Sequence, residues 1–478
     1  MNTVGTNIFK DIFKYSISTW VCLLVGVLSV IISTRLLPPN IYGMISMFYA
    51  ASNVFLYIFT FGMDGAFIRF YNEPPENNTK EQMMYKCLLT NVISLFFVGS
   101  LILLSNGNRI SAFIFGVENN VVFVMLLLFV LGQIILRYFN ISFRMSFKTK
   151  LYTIQNIIIG CLSRVITIVC ALFICDFEFI TIAITASLLF ITLLFAYFQK
   201  NEYLPKDKNG YLNFSLSFSK YRDFIKFSLF SAPSYIVNFL NTYLSQQVIV
   251  KLINNFALGI YASTNMFCSI LLALKGGFGT YWSAFVYKNY KIESSRIISM
   301  HDYIVFISII FASLLIFMRD FIYLFIGSAF HESKTFYSLL MIMPILTSVQ
   351  ETTDKGIALS KKNQISLMAH VISIVINILF GIVGAMKFGL IGVALANSIS
   401  GLLLFVICTV YGQRYYKSIK SPLRSVVGIS LIIIILLFPL GIKDHVQCCF
   451  LVLCLDLCAC FIYKSQLKDI YRTLKTLI

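Results

Sequence analysis

Residues 365–411 read ISLMAHVISIVINILFGIVGAMKFGLIGVALANSISGLLLFVICTVY, and Lys387 is the only Asp, Glu, Lys or Arg among them. That lysine separates two apolar stretches, 365–386 and 390–411. A helix of about 22 residues at 1.5 Å rise reaches about 33 Å, enough to cross a hydrocarbon core of roughly 30 Å. Read outward from this pair, the pattern repeats near 12–34, 41–63, 84–105, 117–136, 154–175, 178–198, 228–249, 257–286, 302–318, 336–358, 425–442 and 446–463. About fourteen crossings are therefore expected. All should be helices, because a spanning segment in lipid must satisfy its own backbone polar groups. The expected fold is an all-α polytopic membrane protein.

Composition agrees. The chain of 478 residues is 58% hydrophobic and 12% charged, with a mean hydropathy of +0.84. A soluble chain is nearer half apolar and about a quarter charged. The net charge of +18 does not point to nucleic acid, because the basic residues form no single patch but fall in small groups between apolar runs. Of the twelve cysteines, Cys161, Cys170, Cys268 and Cys408 lie inside apolar runs, where a thiol acts as a small hydrophobe. Cys448, Cys449, Cys454, Cys458 and Cys460 lack zinc-site spacing and histidine partners. His301, His331, His370 and His445 are scattered, and His370, at the start of a span, reads as a packed or interfacial histidine. No Gly-rich phosphate loop is present, and no metal or cofactor is expected. The first run ends in Arg35-Leu36-Leu37-Pro38-Pro39, not in a small-residue cleavage site, so it should remain as the first span.

With the N-terminus in the cytoplasm, 29 of the 38 Lys and Arg residues fall inside and seven outside: Arg35, Arg109, Lys251, Arg319, Lys334, Lys387 and Lys443. That asymmetry supports both the number of spans and the orientation, with both termini cytoplasmic. Internal similarity sets the organisation. Lys14-Tyr15-Ser16 matches Lys226-Phe227-Ser228, Ile41-Tyr42-Gly43 matches Ile260-Tyr261-Ala262, and Arg144-Met145-Ser146-Phe147-Lys148 matches Ala358-Leu359-Ser360-Lys361-Lys362, at offsets of 212, 219 and 214. Two six-helix lobes are expected, 1–205 and 206–415, followed by two additional helices in 416–478. Six is even, so the lobes would be related by a pseudo-two-fold axis along the membrane normal, with the substrate path between them. The basic stretch Lys200 to Lys220, with Pro205 and Gly210, reads as the linker.

Ionisable residues inside spans carry the functional signal, since a charge at the bilayer centre costs about 2.5–3.5 kcal/mol even on a lenient scale. Arg164 lies fourteen residues from Lys150 and twelve from Asp176, and Lys275 lies thirteen from Lys288. The 1.5 Å rise places both near mid-depth. One cation per lobe would make a positive cavity suited to a phosphate or pyrophosphate. The alternative is that each pairs with a buried carboxylate or snorkels. Gly276, Gly277 and Gly279 beside Lys275 permit bending or close approach, and simple close packing explains them equally. Pro233 and Pro344 are expected kinks. Among the carboxylates, Asp64 ends the second span with Arg69 beyond it, and Pro74-Pro75 should stop that helix. Glu351 has Lys355 at i+4, which gives either a self-paired helix face or a proton or cation site. Asp456, in the last span, is read only as a contact with another helix.

Thr34-Arg35-Leu36-Leu37-Pro38-Pro39-Asn40-Ile41-Tyr42-Gly43 resembles the Arg-Leu-Leu-Gly-Pro-x-x-Tyr-Gly signature of bacterial polysaccharide flippases of the O-antigen or capsule type. Phe61-Gly62-Met63-Asp64-Gly65-Ala66-Phe67-Ile68-Arg69-Phe70 and Phe388-Gly389-Leu390-Ile391-Gly392-Val393-Ala394-Leu395-Ala396 look like the same family. Pro38 departs from the pattern, where glycine is usual. The resemblance covers the whole chain and places it in the multidrug/oligosaccharidyl-lipid/polysaccharide exporter superfamily. It implies an inner-membrane flippase that moves an undecaprenyl-pyrophosphate-linked oligosaccharide to the outer leaflet by alternating access, driven by protons or sodium. A polysaccharide polymerase and a chain-length regulator are the implied protein partners. Arg164, Lys275, Arg69 and Arg35 are then the candidate substrate-binding residues, and Asp64, Glu351 and Asp354 the candidate ion-coupling residues. A drug or metabolite antiporter of the same superfamily is the nearest alternative, but it calls for acidic cavity residues where the deepest charges here are basic. A membrane-embedded polymerase or glycosyltransferase would need paired catalytic acids. The longest outer loop, about Arg319 to Thr335, offers only Asp320, His331 and Glu332.

Overall fold

A computed structural model of the chain describes residues 21–75, 78–200, 204, 221–360, 362–442 and 444–468. The start of the first span with Lys14-Tyr15-Ser16, most of the expected linker with Pro205 and Gly210, and Lys361 and Lys443 lie outside the described residues.

Among the described residues the structure is all-helical. In chain order the helices are α1 (Val21–Leu36), α2 (Pro39–Thr60), α3 (Met63–Phe70), α4 (Lys80–Phe115), α5 (Asn120–Met145), α6 (Thr149–Phe173), α7 (Phe177–Phe198), α8 (Arg222–Leu252), α9 (Asn255–Asn289), α10 (Ser294–Phe317), α11 (Arg319–Phe325), α12 (Tyr337–Thr353), α13 (Lys355–Leu359), α14 (Asn363–Tyr415), α15 (Pro422–Gly441) and α16 (His445–Ile462). A 3-10 helix covers Ser328–Thr335. Each of the fourteen expected spans overlaps a described helix or half-helix. Nine helices among the described residues are long and apolar enough to cross a membrane by length and composition. One of them, α14, has 53 residues, enough for two crossings at 1.5 Å per residue. The molecule is a multi-pass membrane protein.

Local chemistry sets the boundaries. Pro39 starts α2, where its missing N–H is no loss. Thr79 and Gln82 form a capping box on α4. Asn119, Asp176, Ser421 and Asp444 accept backbone N–H groups at the starts of α5, α7, α15 and α16. Two expected boundaries are corrected. The second span ends at Thr60, because Phe61 and Gly62 both take left-handed φ (48° and 70°), so Asp64 and Arg69 sit on the separate helix α3. The span expected at 336–358 breaks at Asp354 into α12 and α13. The loop expected at about Arg319 to Thr335 keeps those bounds and is built from α11 and the 3-10 turn. Within α14 the divide is Gly389, at φ 58° and ψ −134°, a conformation that essentially only glycine adopts. The halves then pack closely, as a Cβ on Gly384 would lie 2.6 Å from the Gly392 carbonyl oxygen.

The chain divides into two compact units, Met1–Gly259 and Ile260–Ile478. In the first, α2 packs on α8, α5 and α4, and α5 on α7 and α4. Backbone meets backbone where α2 begins: a Cβ on Gly43 would fall 2.5 Å from the Asn255 carbonyl oxygen and 2.6 Å from Gly259 N. Helix α8 is polar for a span, and Asn241, Ser245, Gln246 and Gln247 are buried. Gln247 donates to the Phe113 and Ile114 carbonyls at 3.2 Å. In the second unit α12 packs on α14, and α10 on α15 and α12. Helices α8 and α12 run on through Pro233 and Pro344. In α12 the carbonyl that Pro344 deprives of its helical donor is that of Leu340, and the Cys268 thiol donates to it at 3.3 Å.

Candidate functional site

In the first unit the structure separates the four candidate charges. Arg164 sits on α6, partly buried, and its guanidinium donates to the backbone carbonyl of Cys22 on α1. No carboxylate pairs with it among the described residues. Asp64 is fully buried on α3, and both Arg137 Nε, at 2.7 Å, and Arg137 Nη2 converge on its Oδ2. Oδ1 of Asp64 is buried and accepts no hydrogen bond among the described residues. The Arg137 guanidinium lies 4.9 Å over the Tyr57 ring, which stacks on Phe239 at 4.5 Å. Ser228 Oγ donates to the Phe61 carbonyl at 2.5 Å, tying the α2–α3 break to α8. Arg69 points away from this centre and pairs at the surface with Glu73 at 3.1 Å, and the two side chains are 55% and 74% exposed. Arg35 is exposed at the end of α1.

The second unit brings its three candidates together. Glu351 Oε2 accepts from Lys355 Nζ at 2.6 Å, and its Oε1 lies 3.6 Å from Lys275 Nζ. Lys355 also faces Asp354 Oδ1 at 3.6 Å, and Gln350 Nε2 donates to Asp354 Oδ2 at 3.4 Å. Two lysines and two carboxylates make a cluster with no net charge. Gly279, one turn along α9 from Lys275, faces the Glu351 carboxylate. A Cβ there would lie 3.2 Å from Glu351 Cδ, whereas one on Gly276 would meet nothing within 4 Å. Gly279 therefore serves a close approach.

Sequence reasoning did not find the partner of Asp64. The span expected at 117–136 stops one residue short of Arg137, yet α5 continues to Met145. The apolar run on either side of Arg137, through Phe143, is the signal that could have shown it to be inside a helix. A second polar centre was also missed. His301 on α10 is fully buried, its Nδ1 2.8 Å from Thr352 Oγ1 and its Nε2 2.8 Å from Ser425 Oγ. Beside it, Arg424 Nη1 donates to Asp302 Oδ2 at 3.1 Å and Arg424 Nη2 to Gln466 at 2.6 Å. These contacts tie α15 and the segment after α16 to α10. Asp456 on α16 accepts from Ser313 on α10 at 2.6 Å.

A family model described as polysaccharide biosynthesis protein matches residues 8–282, more than half of the chain. The chain belongs to this family. No curated protein sequence matches it significantly. Among solved structures, "Lipid II flippase MurJ, inward closed conformation" shares the fold at TM-score 0.66 and 18% identity, over 96% of this chain and 99% of that one. A structure of the MATE multidrug transporter DinF-BH shares it at TM-score 0.59 and 15% identity, over 87% and 98%. An inward-facing MATE family transporter of the MOP superfamily does so at TM-score 0.58 and 14% identity, over 82% and 94%. As a member of the polysaccharide biosynthesis family, the chain places charge within its helices in two ways. Among the described residues Arg164 is a cation with no carboxylate partner, and the second unit holds a balanced cluster around Glu351. The first can attract an anion directly, and the second can do so only after an internal pair opens.

Proposed function

We propose that this protein is a flippase that carries an undecaprenyl-pyrophosphate-linked oligosaccharide, an O-antigen or capsular repeat unit, from the cytoplasmic to the outer leaflet of the bacterial inner membrane. Family membership supports polysaccharide biosynthesis, and the shared transporter fold supports movement of a substrate in place of its chemical conversion. The observation that carries the reading is Arg164: a guanidinium inside a span, half-satisfied by one backbone carbonyl and unpaired with any described carboxylate. Such a group is expensive to keep in a membrane unless it serves a ligand, and its fork geometry suits a phosphate. Lys275, Arg35 and Arg69 join it as substrate-binding residues, and Asp64, Glu351 and Asp354 couple transport to a proton or sodium gradient. The repeat offsets support two six-helix lobes, 1–205 and 206–415, working by alternating access, with 416–478 appended. The distribution of Lys and Arg supports cytoplasmic termini. A polymerase and a chain-length regulator are the partners this activity requires downstream.

The test is where lipid-linked oligosaccharide accumulates in cells with the gene inactivated. Finished repeat units trapped on the cytoplasmic leaflet are expected. Units found normally outside would refute the activity, and units flipped but left unpolymerised would assign the protein to polymerisation. Arg164→Ala is expected to abolish surface polysaccharide while the protein still reaches the membrane, and normal surface polysaccharide would remove Arg164 from the site.

A further inference from the structure

Lys275 is not a free cation. Among the described residues Glu351 is the one carboxylate within ion-pair distance of it, and the 3.6 Å separation is too long for a hydrogen bond. The same carboxylate is held firmly by Lys355 at 2.6 Å. Glu351 is thus anchored to one lysine and leans on the other. It can lean there because residue 279 has no side chain: Lys275 and Gly279 are one helical turn apart and share a face, and a Cβ on Gly279 would lie 3.2 Å from both Cδ and Oε2 of Glu351. With Lys355 also facing Asp354, the four charges cancel. An anion arriving at Lys275 therefore meets a position already filled by a carboxylate.

We propose that Glu351 is a built-in competitor for the diphosphate group at Lys275, and that Gly279 is the positioning residue that seats its carboxylate there. This rests on the flippase reading above and adds the device by which the site lets go of its cargo. When the diphosphate binds, its oxygens take over Lys275 and Glu351 falls back wholly on Lys355. When the substrate leaves, Glu351 returns to Lys275, so release is assisted without any change in the number of charges. A carrier needs such a balance, because a site that binds too tightly cannot turn over.

The experiment uses full-length protein in lipid nanodiscs, titrated calorimetrically with inorganic pyrophosphate and with a polyprenyl diphosphate. Glu351→Gln is expected to bind both at least tenfold more tightly than the wild type, and to lower polysaccharide export in cells. A lesion that merely loosened the fold would lower affinity and export together. Gly279→Ala keeps all four charges and pushes the carboxylate aside, and is expected to give a smaller gain of the same sign. Adding Lys275→Gln to Glu351→Gln is expected to erase the gain. Unchanged or weaker binding in Glu351→Gln, or a gain that survives without Lys275, would overturn the competition while leaving the flippase reading intact. Failure of the wild type and every variant to bind either probe would overturn both.

Discussion

Removing either member of the Asp64–Arg137 pair should cost far more than removing both. Breaking a buried ion pair from one side costs about 3–5 kcal/mol, because the remaining charge is left without a partner. The two sides are unequal here. The Asp64 side chain is 1% exposed and that of Arg137 29%, so an orphaned Arg137 can reach some water and an orphaned Asp64 cannot. Asp64→Leu is expected near the lower end, about 3 kcal/mol, and Arg137→Met near the upper end, about 5 kcal/mol. The pair itself is not well made. Both guanidinium N–H groups meet one oxygen, while buried Oδ1 has no donor among the described residues, a defect worth about 1–3 kcal/mol. The double substitution Asp64→Leu/Arg137→Met should therefore return close to wild-type stability. The assay is thermal unfolding of the purified protein in one detergent at fixed concentration. Additive losses, or a smaller loss in Arg137→Met than in Asp64→Leu, would refute this account of the site.

Three further outcomes are expected. Gly389→Ala forces a side chain into backbone angles that disfavour it and should destabilise by about 1–3 kcal/mol in the same assay, and a neutral result would place the divide of α14 elsewhere. Arg69→Ala removes an exposed pair worth about 0–1 kcal/mol, so its melting temperature should barely move. Any loss of surface polysaccharide in that variant then reports substrate binding, and a marked loss of stability would contradict the exposed geometry. At Asp320, burial alone would raise the carboxyl, but the hydrogen bond and charge of Arg319, with His445 and Lys334, hold it below its ordinary value. A depressed carboxyl contributes stability that is complete above its unfolded value of about 3.9 and is lost as pH falls through the folded one. The advantage of wild type over Asp320→Asn should be full at about pH 5 and shrink below about pH 4, and an advantage undiminished at about pH 3 would refute the depressed carboxyl.

By itself the sequence determined the spans, because in lipid each helix must close its own hydrogen bonds and its length is set by the bilayer. Residues 365–411 show this, as their apolar runs and single lysine specified two helices whose divide the structure places at Gly389. The i+4 pair Glu351–Lys355 was legible for the same reason, being a contact within one stretch of chain. What joins residues far apart was decided only by tertiary structure. Nothing local says that Arg137, 73 positions away, answers Asp64, or that Arg424, 122 positions away, answers Asp302. Nor does anything local say that Gly279 faces a carboxylate. A buried charge announces in sequence that it needs a partner, since leaving it alone in hydrocarbon is too costly. Which partner it finds depends on how helices pack, and that is a property of the assembled bundle.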